Sequence, residues 1–296
     1  MSVDERVIIV TGAGRGIGRC HVDLLARQGA RVVVNDVGVE TDPSTGEMVS
    51  VAEEAVRQLR SEGLDATSSR HDISDWQESR ELVDLAVDTF GRLDGVVNNA
   101  GILRDRMVFN MSGREWDDVV GVHLRGTAAV LSAAAAYWRA EHKGGRDVQA
   151  SVVNTTSPSG LFGKIGQSNY GAAKAGIASL TMIAAEELRA YDVTVNAVAP
   201  VAYTRMTADL IDDETAREAL APEHVSPVVA WLSGTGSRHV TGRVFEVSGR
   251  RFCLVDPWRR GPSVEPQGLM KVSEVGPIVD VFLKHAAPHE RMGGNL

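Results

Sequence analysis

Residues 7–18 read VIIVTGAGRGIG, an apolar, β-branched run (Val7–Val10) that breaks directly into a glycine-rich turn. Residues 19–28 then carry a helical pattern that stops at Gly29. The order is strand, glycine turn, helix. Glycines at 12, 14, 16 and 18 let the main chain turn tightly and approach a pyrophosphate, whose charge the helix N-terminus favours. Gly12, Arg15, Gly16, Ile17 and Gly18 are therefore candidate cofactor contacts. A glycine turn alone is weak, since many are only turns, but its surroundings strengthen it. A second β-branched run, Arg31–Val34, ends in Asn35 and Asp36, and Asp36 falls eighteen residues past Gly18. That is close to the ~20 expected of the acid that binds the adenosine ribose hydroxyls. A carboxylate there repels a 2′-phosphate and favours NAD, whereas Arg15 could bind that phosphate and favour NADP. The acid acts on the ribose directly, so NAD is the expected cofactor and NADP the alternative.

Outward from this unit the same alternation repeats. Residues 37–50 hold Gly, Pro, Ser and Thr without periodicity and predict a long loop over the adenosine half. An amphipathic helix over 52–61 and a weak strand over 66–69 lead to His71, Asp72 and Ile73. Asp72 either meets the adenine amino group or caps the helix expected over 76–90. The next strand, 94–97, ends in NNAG, and residues 102–112 connect it to a long helix over about 114–141 that contains His123. Later come a helix over 169–190, a strand over 193–198 ending at Pro200, a helix over 224–233 and a last strand over 243–247. Residues 201–222 are polar and too long for a simple connection; they suit a substrate lid, or else a surface helical hairpin. Together these predict an α/β fold: one Rossmann-type, doubly wound parallel sheet of about seven strands flanked by helices, with its ligand at the strands' C-terminal edge. The expected domain is 1–250, followed by a proline-rich extension, 251–296. Prolines 257, 262, 266, 277 and 288 exclude a long helix there and leave room for a short one over 275–285. Arg250, Arg251, Arg259 and Arg260 are solvated charges or, alternatively, phosphate contacts.

The chemistry falls in SVVNTTSPSGLFGKIGQSNYGAAK, residues 151–174. Tyr170 and Lys174 lie four apart at the start of an alanine-rich helical run, hence on one face. An ammonium beside a phenol favours the phenolate and makes Tyr170 a usable acid/base. Ser157, thirteen residues upstream at a strand's mouth, can offer a hydroxyl to a developing oxyanion. Taken alone, Tyr170 and Lys174 also fit an ordinary amphipathic pair.

Composition restricts the function. With 296 residues, 43% of them apolar, the chain can build one large core. The balance of 31 basic against 39 acidic residues, net −8, argues against nucleic acid or an anionic membrane as partner. Cys20 and Cys253 are too few for a disulfide framework or metal cluster, so no metal and a reducing compartment are expected. The N-terminus lacks signal-peptide character, and no apolar run approaches the ~20 residues of a spanning helix. A soluble, cytoplasmic protein acting on a diffusible small molecule is expected.

In this order and spacing TGAGRGIG, Asp36, NNAG, Ser157, Tyr170 and Lys174 resemble the short-chain dehydrogenase/reductase family over residues 5–250. The resemblance implies an NAD(P)-dependent oxidoreductase. Tyr170 would exchange the proton at the substrate oxygen, Lys174 would hold the nicotinamide ribose and lower the phenol's pKa, and Ser157 would orient the carbonyl. Asn99, Ala100 and Gly101 would line the adenosine ribose side. It also implies a homo-oligomer, dimer or tetramer, for which the small-residue faces 127–136 and 172–184 are suited. Two departures stand out. His123 occupies the place of the family's helix asparagine, as a tolerated substitute or as a proton relay itself. Pro200-Val201 replaces Pro-Gly and leaves Thr204 as a carboxamide contact. Within the family, NDVG, NNAGILRDRM, VHLRGT, GQSNYGAAKAG, APEHVSPVVAWL and GRVFEVSG are similar to the (3R)-hydroxyacyl-CoA dehydrogenase unit of peroxisomal multifunctional enzyme type 2. That implies a 3-hydroxyacyl-CoA thioester substrate in fatty-acid or steroid side-chain β-oxidation. The ending GGNL carries no peroxisomal address, so a stand-alone bacterial enzyme is expected. The alternatives are a steroid or other small-alcohol dehydrogenase, an NADPH-dependent 3-oxoacyl carrier-protein reductase, and a silent NAD-binding regulatory subunit.

Overall fold

Alternate residues of strand β1 (Val7–Thr11) point to opposite faces of the sheet, and both faces are covered, which is why the run is continuously apolar. Ile8 and Val10 join one core cluster with Val22 and Leu25 of α1 (Gly16–Arg27), Leu59 of α2 (Val51–Ser61) and Val229 and Leu232 of α8 (Ser226–Ser233). Val7 and Ile9 join the other, with Leu82 of α3 (Trp76–Phe90) and Val130, Ala134 and Trp138 of α5 (Gly126–Lys143). Each fully buried aliphatic side chain contributes about 1.5–3 kcal/mol. The computed structural model describes residues 2–41, 48–202, 218–256 and 258–287.

The main sheet has eight strands. In chain order they are β1, β2 (Arg31–Asn35), β5 (Ala66–Ser69), β6 (Gly95–Asn98), β7 (Ala150–Thr155), β8 (Val193–Pro200), β9 (Val244–Val247) and β10 (Phe252–Val255). Their spatial order is β10-β9-β8-β7-β6-β1-β2-β5. Seven are parallel, and the winding reverses between β1 and β6, which opens the ligand crevice above those two strands. The expected doubly wound α/β sheet is present. The eighth strand is an addition: β10 pairs antiparallel with β9, so the boundary expected at 250 falls inside a hairpin.

Four further features differ from expectation. Residues 39–41 and 48–50 form a small antiparallel pair, β3 and β4, within the segment read as loop. The long central helix is not continuous: α4 (Gly113–Val120) and α5 are joined by one π-type turn, Gly121–Arg125, which carries His123. Its path, Gly113–Lys143, is long and apolar enough to span a bilayer by length and composition alone. It nonetheless buries Val130, Leu131, Ala134 and Trp138 against the sheet, as a core helix does. The cap of α3 is Asp75, whose side chain accepts from the Gln77 and Glu78 N–H groups; Asp72 lies one turn too early for that. In the tail, α9 spans Val272–His285 with Pro277 inside it, three residues longer at its start than expected. Glu274 caps it by accepting from the Lys271 N–H, and Pro277 costs one hydrogen bond rather than the whole helix.

Candidate active site

The glycine turn is built against the end of β6. Gly12 has φ +62°, and a β-carbon there would lie 2.6 Å from the Ala100 Cα, so both the turn and the close approach require glycine. Asn99 fastens the two segments, its side-chain nitrogen donating to the Thr11 and Gly12 carbonyls, both at 3.0 Å. Thr11 Oγ1 accepts in turn from the Asn99 and Ala100 N–H groups. At the start of α1 no side chain caps the helix and no acidic residue lies in the first turn. The free N–H groups and the dipole there suit the phosphates of a dinucleotide.

Asp36 stands at the mouth of β2 beside this turn. Its two carboxylate oxygens accept from Gly14 N–H at 3.0 Å and Gly38 N–H at 2.8 Å, which fixes it facing the cleft floor. The Arg15 guanidinium converges on the same spot, since a β-carbon on Gly38 would meet Arg15 Nη2 at 2.8 Å and Asp36 Oδ1 at 2.9 Å. Asp72 is exposed and accepts from Ser74, while the Ile73 side chain is buried against Gly126 in the core. Pro200 closes β8; Thr204 and most of the expected lid lie outside the described residues.

The second half of the site sits above β7 and on α7 (Ser168–Leu188). A buried chain places that helix: Asn98 Nδ2 donates to Asn154 Oδ1 and Asn154 Nδ2 to Thr181 Oγ1, each at 2.9 Å, tying β6, β7 and α7 together. Ser157 caps the short helix α6 (Pro158–Phe162), with its hydroxyl accepting from Ser159 N–H at 3.2 Å, and lies close enough to the Tyr170 phenol to pull its pKa down. Lys174, one turn past Tyr170, is buried. Its ammonium donates to the Thr155 carbonyl at 2.6 Å and lies 5.6 Å from the centre of the Tyr170 ring. Ser157, Tyr170 and Lys174 are thus brought together as expected.

Their electrostatics differ from expectation. Burial raises the Tyr170 pKa above its ordinary value, the Ser157 hydroxyl pulls it down, and the Asp105 carboxylate raises it further. Burial also pushes Lys174 down to about 7, so near neutrality its ammonium is only part-charged and does not dominate the phenol. His123 is 2% exposed, and burial, then Lys174, push it down to about 3 against a bond to Ile102. Its Nε2 lies 3.0 Å from the Ile102 nitrogen and 2.8 Å from the Ile102 oxygen, so it bonds the loop main chain in either tautomer. Its ring stands edge-to-face with Tyr170, centroids 5.1 Å apart. Of the two readings of His123, a neutral, bonded imidazole fits the tolerated substitute better than the proton relay. What it does is prop the Tyr170 ring and the loop after Gly101, from a π-turn that needs no asparagine to form.

Two neighbours went unnoticed in the sequence. Asp105 holds its carboxylate near the phenol and accepts from Gln167 Nε2 at 2.8 Å; Asn169 is wholly buried beside Tyr170. The only local signal for either was its position in a loop or a first helical turn, where a polar residue is unremarkable.

A family model described as short chain dehydrogenase matches residues 6–215. Hydroxyacyl-CoA dehydrogenase ChsB1 of Mycobacterium tuberculosis is 45% identical over 259 residues, covering 85% of this chain and 80% of that one. Peroxisomal multifunctional enzyme type 2 of Mus musculus is 40% identical over 244 residues, which are 82% of this chain and 32% of that longer protein. A crystal structure of a short chain dehydrogenase from Mycobacterium avium superposes with a TM-score of 0.90 at 44% identity, covering 99% of this chain and 100% of the other. A dinucleotide cradle facing a serine, tyrosine and lysine across the switch point, on a chain matched by that family over most of its length, leads to one assignment: the protein belongs to the short-chain dehydrogenase family and is an NAD(P)-linked oxidoreductase.

Proposed function

We propose that the protein interconverts a secondary 3-hydroxyl and a ketone on an acyl-CoA thioester, with NAD as the preferred cofactor, in fatty-acid or steroid side-chain β-oxidation. The observation that carries the reading is the Tyr170 phenol beside Ser157, with the Lys174 ammonium one helical turn on and 5.6 Å from the phenol ring centre, at the open end of the parallel sheet. Similarity to a hydroxyacyl-CoA dehydrogenase and to a peroxisomal multifunctional enzyme supports the substrate class.

A bound nicotinamide dinucleotide supplies the hydride acceptor or donor. The glycine turn and the α1 N-terminus would hold its phosphates, Asp36 an adenosine ribose, and Asn99–Gly101 the wall beside it. In oxidation, Tyr170 Oη takes the proton of the substrate hydroxyl and Ser157 Oγ holds the oxygen in line. Lys174 lies one turn on with its ammonium 5.6 Å from the phenol ring centre, and its charged form favours the phenolate. Asp36, anchored by two main-chain N–H groups, opposes a 2′-phosphate and favours NAD. The catalytic unit is residues 1–250 with the β9–β10 hairpin that crosses that boundary, and the remainder to 296 is an extension. The small-residue faces of α5 and α7 suit a cytoplasmic dimer or tetramer.

The test is NADH formation across 3-hydroxyacyl-CoA esters of graded length, with steroid alcohols and free secondary alcohols as competitors. Tyr170→Phe should bind NADH with an unchanged Kd and turn over at least ~10²-fold more slowly. Equal kcat/KM for a simple alcohol, or substantial turnover by Y170F, would refute the proposal.

A further inference from the structure

Asn169 immediately precedes Tyr170, and its side chain has no exposed surface. Its nitrogen donates to two main-chain carbonyls, Arg104 at 3.0 Å and Glu115 at 3.1 Å. Its oxygen accepts from the Tyr170 N–H at 2.7 Å. One side chain therefore joins the loop after β6, helix α4 and the first turn of α7 at the residue that carries the phenol. No side chain caps α7 at Gln167, so the Tyr170 N–H, one of the unpaired donors of that first turn, is met by Asn169.

Two other bonds run alongside, from Gln167 Nε2 to Asp105 and from Arg106 N–H to the Gly166 carbonyl, both at 2.8 Å. Both end short of Tyr170. Asn169 alone among these ties reaches the main chain of Tyr170 itself. The residue type is demanding as well. The site needs two donors and one acceptor at the length of one methylene, which only asparagine provides. Aspartate would keep the acceptor but aim an anion at two carbonyl oxygens; alanine would remove all three bonds.

We propose that Asn169 is a positioning residue that sets Tyr170 in register with Ser157 and the loop 102–106, acting through Tyr170. This rests on the acid/base reading of Tyr170. Displacing a reacting group by about 1 Å can cost ~10²-fold in rate without loss of binding.

The experiment compares wild type with Asn169→Ala, Asn169→Asp and Y170F, each shown folded by circular dichroism, using NAD and 3-hydroxydecanoyl-CoA. For N169A we expect kcat to fall about 10–100-fold, with substrate KM and NADH Kd within about threefold. In N169D a buried carboxyl facing two carbonyls binds a proton readily and regains one donor, so its kcat relative to wild type should rise as pH falls from about 8 to about 6. If N169A does not fold, N169D decides. A folded variant with near-wild-type kcat, a loss of kcat matched by an equal loss of NADH affinity, or an N169D ratio that is flat with pH would each overturn the inference. A dead Y170F beside a near-wild-type N169D overturns this inference alone, whereas an active Y170F removes the reading beneath it as well.

Discussion

Replacing Gly101 with alanine puts a β-carbon 2.2 Å from His123 Cε1 and 3.0 Å from both ring nitrogens. Carbon atoms rest at about 3.5–4.0 Å, so the ring or the loop must give by more than about 1 Å. The ring has little freedom to do so. It is buried, bonded to Ile102 and set edge-on to Tyr170. The main chain at Gly101 is not in the left-handed region, so alanine introduces contact without backbone strain. Overpacking costs about 1–3 kcal/mol, and loss of the His123 to Ile102 bond adds about 1 kcal/mol. The single substitution should therefore lower stability by about 2–4 kcal/mol. With His123→Ala the space opens, and adding Gly101→Ala should then cost under about 0.5 kcal/mol, a coupling of about 1.5–4 kcal/mol between the two positions. Urea unfolding of the four proteins, followed by far-ultraviolet circular dichroism, measures it. Equal costs for G101A in both backgrounds would show that the imidazole is not the obstacle and that the packing described for this corner is mistaken.

Three other outcomes are expected. Asp36→Ala should narrow the preference for NAD over NADP at least ~10-fold in the ratio of kcat/KM values, and an unchanged ratio would place the discrimination elsewhere. His21 and His123 are both held near a pKa of about 3 by burial, against 6.5 for the ordinary group. The unfolded chain then binds more protons between those values, so stability is complete above about pH 6.5 and falls as pH drops toward 3. From pH 7 to pH 5 each histidine should remove about 2 kcal/mol, and His21→Gln should abolish its share of that slope in urea midpoints. Asp75→Ala should lower the urea midpoint by removing the α3 cap while Asp72→Ala leaves it nearly unchanged; the reverse result would reassign the cap.

The parallel sheet was legible because its signals are local and redundant. Val7–Val10 and Arg31–Val34 are β-branched runs separated by a glycine turn and a helix, and the same grammar recurs to Val247. Ser157, Tyr170 and Lys174 were found by spacing and do converge. Where the reading fell short, tertiary surroundings decided. No spacing rule reveals that burial lowers the Lys174 pKa, or that His123 is sealed between Gly101 and Tyr170. Asp72 and Asp75 are equally good capping residues in sequence, and only the start of α3 separates them. Strand β10 was missed because Phe252 and Leu254 alternate with half-buried neighbours at a sheet edge, where the apolar pattern is weakest. The SG dipeptide at 248–249 between two β-like runs was the available hairpin signal.

That last strand bears on where the chain can be cut. β10 occupies the hydrogen-bonding rim of β9, stacks Phe252 on Phe245 with centroids 5.8 Å apart, and sets Arg251 beside Glu246. Shortening the protein to residue 250 would bare an unpaired row of amides and carbonyls next to an unshielded aromatic ring and leave a mostly buried carboxylate without its counter-charge. The trimmed protein should come out of solution as edge-paired aggregates, which makes the first residues of the apparent appendage a guard for the whole sheet.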